Sequence, residues 1–466
     1  MHIYDSVQKT KLPFEPICEG KASIYVCGPT VYDDAHLGHA RSSLAFDLLS
    51  RTLKALGYQV TMGKNFTDID DKIIKKVEET GKSMEEITSF YIERYLEEMA
   101  ALGVQRADIE PKATESLGAI ESMIQTLIEK DMAYLISTGD VYFDTSKDAH
   151  YGDISHQVGE DDDNQSRVAH TSQKRNPKDF ALWKACKGEE DICFDTAFSS
   201  GRPGWHIECS AMIEKHFQGD AHYSIDIHGG GADLLFPHHE NEAAQSRCAT
   251  GHELAKYWMH NGFVQIDGEK MSKSLGNSFF LKDALKLYDG EVLRFYLNSV
   301  HYRNDFNFSE EELQISKKRL DKLYRLKKRV SPGKGSEVNK TFKKALLDAM
   351  GDDLNISIAL AHIDEMIANS NDGLDENPKD KALKKETLAN IAFIDTLLGF
   401  GGKEPFSYFQ IGVDEALKAS IETLLEERTE AKKAKNFERS DEIRDTLIAK
   451  GISIMDTAEG TLWEKV

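Results

Sequence analysis

Residues 24–62 are IYVCGPTVYDDAHLGHARSSLAFDLLSRTLKALGYQVTM, and this stretch decides the fold class. Ile24–Cys27 is a short apolar run typical of a buried strand, and a Gly-Pro pair ends it. Leucines then recur at helical spacing, and Gly57 is a natural helix stop before the next predicted strand, Tyr58–Met62. A strand–helix–strand opening predicts an α/β Rossmann-like catalytic domain built on a parallel sheet.

The rest of the chain predicts an inserted connective domain, then an α-helical bundle and a small C-terminal domain. No Gly-x-Gly-x-x-Gly follows the first strand and no Walker-type loop occurs, which excludes the common dinucleotide and P-loop folds. The predicted segments are the first half of the sheet domain at 1–114, the insertion at 115–200, the second half at 201–265, a stem region at 266–315, the bundle at 316–402 and the last domain at 403–466.

The 466 residues carry a net charge of −21, which by itself argues against nucleic-acid binding. Between residues 317 and 344, however, there are twelve Lys or Arg and only two acidic residues, a local excess of ten positive charges. This stretch is either a solvated helix face or a stripe that binds a polyanion.

Six cysteines in so long a chain do not predict a disulfide framework, and metal or catalytic roles are more typical of a cytosolic chain. No apolar run approaches the ~18 residues of a membrane-spanning helix. The first ten residues lack the basic-then-apolar order of a secretory signal. We therefore expect a cytoplasmic protein without a membrane anchor.

His36-Leu37-Gly38-His39 lies where the first strand leads into the first helix. Gly38 lets backbone approach a flat ligand, and two imidazoles beside a helix N-terminus suit the phosphates of ATP. The alternative is a pair of histidines that only caps the helix.

Lys270-Met271-Ser272-Lys273-Ser274 follows a glycine in a polar loop. The ammonium groups of Lys270 and Lys273 could close on a triphosphate and neutralise the departing pyrophosphate. A solvated basic turn is the alternative. Together, in this order and at this spacing, the two motifs resemble the signatures of class I aminoacyl-tRNA synthetases, with Leu37 in place of the usual isoleucine.

A third group of residues contains two thiols, an imidazole and a carboxylate. Cys27 ends the first strand and Cys209 lies in GRPGWHIECSAM, while His238 and Glu242 are four residues apart in PHHENE. On a helix that last spacing puts both side chains on one face. The four are a plausible set of zinc ligands, although buried cysteines and a surface His/Glu pair remain the alternative.

Four sequence blocks are similar to those of the cysteinyl-tRNA synthetase family: residues 25–32 (YVCGPTVY), 66–73 (FTDIDDKI), 201–212 and 226–242 (DIHGGGADLLFPHHENE). The resemblance implies that Cys27, Cys209, His238 and Glu242 hold a catalytic-site zinc. It also implies that Thr67, Trp205 and His228 line a cysteine pocket. One departure occurs at 193–200, CFDTAFSS, where the family usually has a Trp-x-Ser-Pro-Trp-Gly-like run.

The resemblance implies a cysteine–tRNA ligase that uses ATP with Mg²⁺, L-cysteine and tRNA(Cys), and a monomer. His36, Gly38, His39 and Lys273 would bind ATP. Asp233 could bind the nucleotide ribose or simply form a turn. Zinc binds thiolate far more readily than an alcohol, so it would separate cysteine from serine. Four protein ligands describe a closed site, so either the metal becomes five-coordinate or Glu242 loosens when substrate binds.

The C-terminal end separates this interpretation from two others. A cysteine ligase acting on a small amino sugar, as in mycothiol synthesis, would share the signatures but lack a full anticodon-reading end. A synthetase-like regulator without catalysis would be expected to have damaged signatures. The family resemblance makes Arg428, Asp441 and Trp463 candidates to contact tRNA, by hydrogen bonds to base edges or by stacking.

Overall fold

A computed structural model describes residues 1–156, 173–188, 191–266, 269–270, 279–457 and 460–465, with the backbone alone at 269, 270 and 457. The strands are β1 His2–Asp5, β2 Thr10–Pro13, β3 Lys21–Val26, β4 Gln59–Lys64, β5 Ala133–Leu135, β6 Val141–Phe143, β7 Phe180–Ala185, β8 Phe194–Asp195, β9 Ser200–Pro203, β10 Tyr223–Gly231, β11 Glu253–Asn261, β12 Val264–Ile266, β13 Glu269–Lys270, β14 Phe306–Phe308, β15 Ile452–Thr457 and β16 Gly460–Lys465.

The α-helices are α1 Leu37–Ala55, α2 Asp71–Thr80, α3 Met84–Ala101, α4 Leu117–Glu129, α5 Trp205–His216, α6 Glu240–Thr250, α7 Leu281–Leu287, α8 Gly290–Leu297, α9 Glu310–Val330, α10 Lys340–Met350, α11 Ile356–Glu376, α12 Lys381–Leu398, α13 Pro405–Phe409, α14 Glu415–Lys433 and α15 Phe437–Ala449. None of the helices among these described residues combines the length and apolarity needed to cross a bilayer.

The chain forms two compact units. The first contains Met1–Ala284, Leu297–Ser309 and Leu346–Ala359, and the second contains Leu285–Tyr296, Glu310–Ala345 and Leu360–Val466.

A four-stranded parallel sheet in the order β11-β10-β3-β4 forms the centre of the first unit. The predicted strand–helix–strand opening is confirmed, because α1 connects β3 to β4 and ends just before Gly57, whose φ is 98°. Glycines are typical strand breakers, and the sequence predicts that the strand after residue 221 ends at Gly229–Gly231, but β10 runs through all three and pairs Gly231 with Asn261. A side chain at Gly229 would collide with the Phe46 ring, so glycine lets α1 pack directly on this strand.

The inserted domain is a five-stranded antiparallel sheet in the order β5-β6-β7-β9-β8, packed on α4. Its core contains Trp183, which is fully buried. In the segment that departs from the family pattern, Phe198 packs edge-on against Trp183 with ring centroids 5.5 Å apart. Phe194 and Phe198 of this segment both pack against that core. Although no disulfide framework is predicted, Cys186 and Cys193 form one disulfide here, and the other four cysteines are free thiols.

The second unit is helical apart from the β15–β16 hairpin, which the sequence analysis did not predict. The apolar residues of 343–367 recur at helical spacing, which predicts one helix, but this range belongs to two helices, α10 and α11. The break lies at Asp353 and Leu354, in a segment that belongs to the first unit, and both residues adopt left-handed φ values, of 58° and 55°.

The basic stretch at 317–344 makes internal ion pairs in the second unit. Arg319 binds Asp364 at 2.7 Å and Lys317 binds Asp321 at 3.0 Å. Lys327 donates to the carbonyl oxygens of residues 401–403. Part of the positive charge of the stretch is therefore neutralised or bound within the second unit, and both interpretations of the stretch stay predictions.

Candidate metal centre and active site

Four elements bring the predicted metal ligands together. Cys27 follows β3, Cys209 lies on α5, His238 lies in the kinked segment Leu235–His239, and Glu242 lies on α6. One ligand atom from each lies within 4.8 Å of the others. The two sulfur atoms are 3.7 Å apart, and sulfurs bound to one tetrahedral zinc at about 2.3 Å would be separated by roughly that distance. The donor set therefore fits a zinc ion.

The electrostatics of the cluster favour a charged Glu242. Burial would raise its pKa, but the charges of His238 and His228 hold it well below the usual range. Burial likewise opposes charge on His238, yet Glu242 raises the pKa of that imidazole to about 10. The carboxylate lies between the two rings, with Nε2 of His238 at 2.7 Å from Oε1 and Nε2 of His228 at 2.5 Å from Oε2.

The two thiols differ in acidity. The hydrogen bond from Cys27 lowers the pKa of Cys209 to about 7, whereas burial raises the pKa of Cys27 well above its ordinary value. Cys209 is therefore the thiol that ionises first, and a thiolate is the form that binds a metal.

His238 is oriented by two neighbours. Its Nδ1 lies 2.8 Å from Nδ1 of His206, and the Trp205 ring stacks on it at 4.0 Å between centroids. A partner at Nδ1 leaves Nε2 to face the other ligands. The sequence analysis missed His206, although its position three residues before Cys209 on a helix puts both on one face.

A second set of donors overlaps the first. Cys27, His228, His239 and Glu242 also offer ligand atoms within 4.8 Å of one another. Nδ1 of His239 lies 2.8 Å from Nε2 of His260. The sequence analysis missed His239 and His260, because both lie on buried segments whose neighbours only the fold defines.

Two of the three predicted pocket residues contact proposed metal ligands, and the third contacts a neighbour of Cys209. Trp205 stacks on His238 and His228 contacts Glu242, as described above. The Thr67 hydroxyl donates to Oε2 of Glu208 at 2.9 Å, and Glu208 adjoins Cys209. Burial, followed by the charge of Cys209, raises the pKa of Glu208 well above its ordinary range. The wall beside the ligands is therefore a buried polar network.

The His36–His39 motif caps helix α1. Nδ1 of His36 accepts the backbone N–H of Gly38, and Nδ1 of His39 accepts that of His36, both at 3.1 Å. The two rings stack with centroids 3.8 Å apart. Because each Nδ1 is an acceptor, a neutral ring carries its proton on Nε2. A side chain at position 38 would contact the His36 ring at 2.8 Å, which explains the glycine.

The lysine-rich motif begins in strand β13, whose backbone pairs Lys270 with Gln265. Lys273 lies outside the described residues. The chain that follows returns to the histidine motif, because Leu37 N–H donates to the carbonyl of Phe279 and Leu281 N–H donates to that of Ala35. Backbone pairing therefore joins the segment after the lysine-rich loop to the start of α1.

The remaining predicted site residues have varied surroundings. Asp233 is exposed in a short 3₁₀ turn after β10. Asp441 is exposed on α15, whereas Arg428 is buried and binds Asp456 at 2.7 Å. Trp463 lies in the core of the last domain and is 5% exposed. In the free protein Arg428 and Trp463 stabilise that domain, and their contacts with tRNA stay predictions.

The fold and these paired motifs define a class I aminoacyl-tRNA synthetase. Residues 13–318 match the family model described as the tRNA synthetases class I (C) catalytic domain, and residues 414–463 match the cysteinyl-tRNA ligase anticodon binding domain. A methionyl-tRNA synthetase from Mycobacterium tuberculosis, solved with methionyl-adenylate, is similar in fold. It has a TM-score of 0.59 and 15% identity, covering 81% of this chain and 92% of that one.

The chain belongs to the cysteine–tRNA ligase family. It is 83% identical to the cysteine–tRNA ligase of a Sulfurovum species and 64% identical to that of a Nitratiruptor species. Each alignment covers 100% of both chains. Likeness at this level along the full chain, with the anticodon-binding domain included, supports the synthetase over the amino-sugar ligase.

Proposed function

We propose that this chain activates L-cysteine with ATP and transfers it to the 3′-terminal adenosine of tRNA(Cys). One observation carries the proposal: the ligand atoms of Cys27, Cys209, His238 and Glu242 gather within 4.8 Å. Cys27 lies at the carboxyl end of parallel strand β3, the edge at which α/β sheets bind their ligands. Such a centre suits a substrate that differs from serine by a single sulfur atom.

We infer that the metal is zinc, one per chain, held by those four side chains. Two thiols and an imidazole are softer donors than Mg²⁺ or Ca²⁺ prefers. When bound, the ion supplies a Lewis acid that favours a thiolate sulfur over an alcohol oxygen. Apolar walls alone would separate the two amino acids by only about 1–3 kcal/mol.

In the first step, an oxygen of the cysteine carboxylate bonds to the α-phosphorus of ATP, and the bond to the departing pyrophosphate breaks. His36 and His39 donate Nε2–H hydrogen bonds to phosphate oxygens, and the N-terminus of α1 adds its partial positive charge. Lys270 and Lys273 neutralise the pyrophosphate, and Asp233 binds the ribose. Mg²⁺ accompanies the ATP.

In the second step, a ribose hydroxyl of the terminal adenosine, the 2′ hydroxyl first, attacks the carbonyl carbon and AMP leaves. The helical second unit and its last domain bind the tRNA, with Arg428, Asp441 and Trp463 nearest the anticodon. The proposed protein is a cytoplasmic monomer.

ATP–pyrophosphate exchange tests the first step, with serine as the matched control substrate for cysteine. We expect exchange with cysteine and about 10⁴-fold less with serine, since a site built around one polar contact rejects analogues that cannot make it by about 10⁴–10⁵-fold, beyond what apolar walls achieve. Charging of tRNA(Cys) transcript tests the second step. Exchange without charging of tRNA, accompanied by ligation to an amino sugar, would contradict the proposal. No exchange at all would indicate a regulator.

A further inference from the structure

Asn65 is a buried amide that touches the segments carrying both cysteine ligands. It directly follows β4 and is 1% exposed. Its Oδ1 accepts the backbone N–H of Gly28 at 2.8 Å, one residue after Cys27. The same oxygen lies 3.7 Å from Sγ of Cys209. Asn65 directly precedes the block 66–73, and no local sequence pattern indicates its role.

The backbone around Asn65 is held in place by close packing and hydrogen bonds. A Cβ at Gly28 would lie 1.6 Å from the carbonyl oxygen of Asn65, so the ends of β3 and β4 approach as closely as glycine allows. The flanking N–H groups of Lys64 and Phe66 each donate at 2.9 Å to the carbonyls of Ile109 and Pro111. These two hydrogen bonds fix the backbone on either side of Asn65, and its side chain contacts the Gly28 N–H and the Cys209 sulfur.

The other end of the amide has its own partner. Nδ2 of Asn65 donates to the Thr67 hydroxyl at 3.4 Å, and that hydroxyl donates to Glu208. A backbone N–H can only donate, so Oδ1 must face Gly28 and Nδ2 must face Thr67. The donors therefore run in one direction from Gly28 to Glu208, and Asn65 links the ends of β3 and β4 to helix α5.

We propose that Asn65 is a positioning residue for the metal centre. Its Oδ1 holds the segment after Cys27 through the Gly28 N–H and accepts from the protonated Cys209 thiol before any metal arrives, which lowers the cost of assembling the ligands. Outer contacts of this kind change metal affinity by about 10–100-fold in other metalloproteins. The inference rests on the proposed zinc site and adds to it a residue that binds no metal.

The test measures how fast zinc leaves the protein. Full-length wild-type protein, Asn65→Ala and Asn65→Leu are loaded with zinc, mixed with excess chelator, and followed with a metallochromic dye. Leucine fills the volume of the amide without its hydrogen bonds. Asn390→Ala is the matched control, because Asn390 is also buried and its Oδ1 accepts a backbone N–H, from Asn339 at 2.9 Å.

We expect both Asn65 variants to release zinc about 10–100-fold faster than wild type, with Asn390→Ala unchanged. A folded Asn65 variant with the wild-type release rate would overturn the inference. If neither variant folds, hydrogen exchange at the Gly28 amide of metal-free wild-type protein tests the inference instead. A protected Gly28 amide supports the inference, and rapid exchange there overturns it. If wild-type protein binds no zinc, the proposed metal centre itself is wrong. That result differs from a wild-type rate of zinc release in an Asn65 variant, which would overturn only the positioning role of Asn65.

Discussion

The sulfur atoms of Cys27 and Cys209 lie 3.7 Å apart, although 182 residues separate them in the chain. The Cys27 thiol donates a hydrogen bond to the Cys209 sulfur, and Cys209 is the thiol with the lowered pKa. Each sulfur comes from a different element, and the carboxylate of Glu242 lies 3.3 Å from Cys27. This pair is the centre on which the proposed selection of cysteine depends.

Replacing Cys209 with serine should remove the metal. A hydroxyl is far less acidic than a thiol and supplies no soft thiolate, so we expect Cys209→Ser to lose at least ten-fold in zinc affinity. Cys248→Ser is the control, because Cys248 is a free thiol that lies outside the donor sets. Zinc per chain, measured by atomic emission after dialysis, should stay near one in the control. Full zinc content in Cys209→Ser would contradict the proposed site.

Glu98 should make the first unit less stable at high pH. Burial and then the Asp34 carboxylate raise its pKa to about 7, against a usual value of 4.5. Neither carboxylate oxygen has a hydrogen bond among the described residues, and Arg94 Nε lies 3.6 Å away. The folded protein thus keeps a proton that the unfolded chain releases. Stability therefore falls as pH rises from about 4.5 through about 7.

Glu98→Gln removes this titration. We expect the variant to be more stable than wild type at pH 8 by roughly 1–3 kcal/mol and equal to it near pH 4.5. Urea unfolding at the two pH values measures the difference. Glu97→Gln, at an exposed position on the same helix, is the control and should change neither value. Equal stability of Glu98→Gln and wild type at pH 8 would show that the carboxylate is not destabilised by burial.

Arg428 should stabilise the last domain. Its guanidinium is buried and binds both oxygens of Asp456, at 2.7 and 3.1 Å, and this contact holds the Asp456 pKa well below its usual range. Arg428→Met should lower the free energy of unfolding by about 1–3 kcal/mol. Lys433→Ala removes a surface-exposed ion pair with Glu430 and should cost no more than about 0.5 kcal/mol. Similar losses in both variants would contradict the structural role.

Asp441 should affect tRNA recognition without affecting cysteine activation. Its carboxylate is exposed on α15, where it can accept hydrogen bonds from base edges. Asp441→Ala should raise KM for tRNA about five- to ten-fold, the equivalent of one hydrogen bond. ATP–pyrophosphate exchange should stay unchanged. Glu438→Ala, at an exposed position one turn earlier, is the control, and equal KM values for the two variants would contradict the predicted contact.

The spacing of residues along the sequence was sufficient to predict the first helix of the sheet domain. Helical leucine spacing before Gly57 predicted α1, and the four-residue spacing of His238 and Glu242 predicted that they meet. They do meet at 2.7 Å, although His238 lies in the kinked segment Leu235–His239 before α6. The break between α10 and α11 was not predictable, because left-handed Asp353 and Leu354 are rare conformations that no residue type there requires.

The sequence by itself determined the strand–helix–strand opening, the two signature motifs and, through family resemblance, the choice of the four candidate metal ligands. Only the tertiary structure decided which side chains surround them. His206, His239 and Asn65 contact the site through hydrogen bonds between distant segments. Periodicity and spacing describe neighbours along one helix or strand, whereas these contacts depend on how separate elements pack.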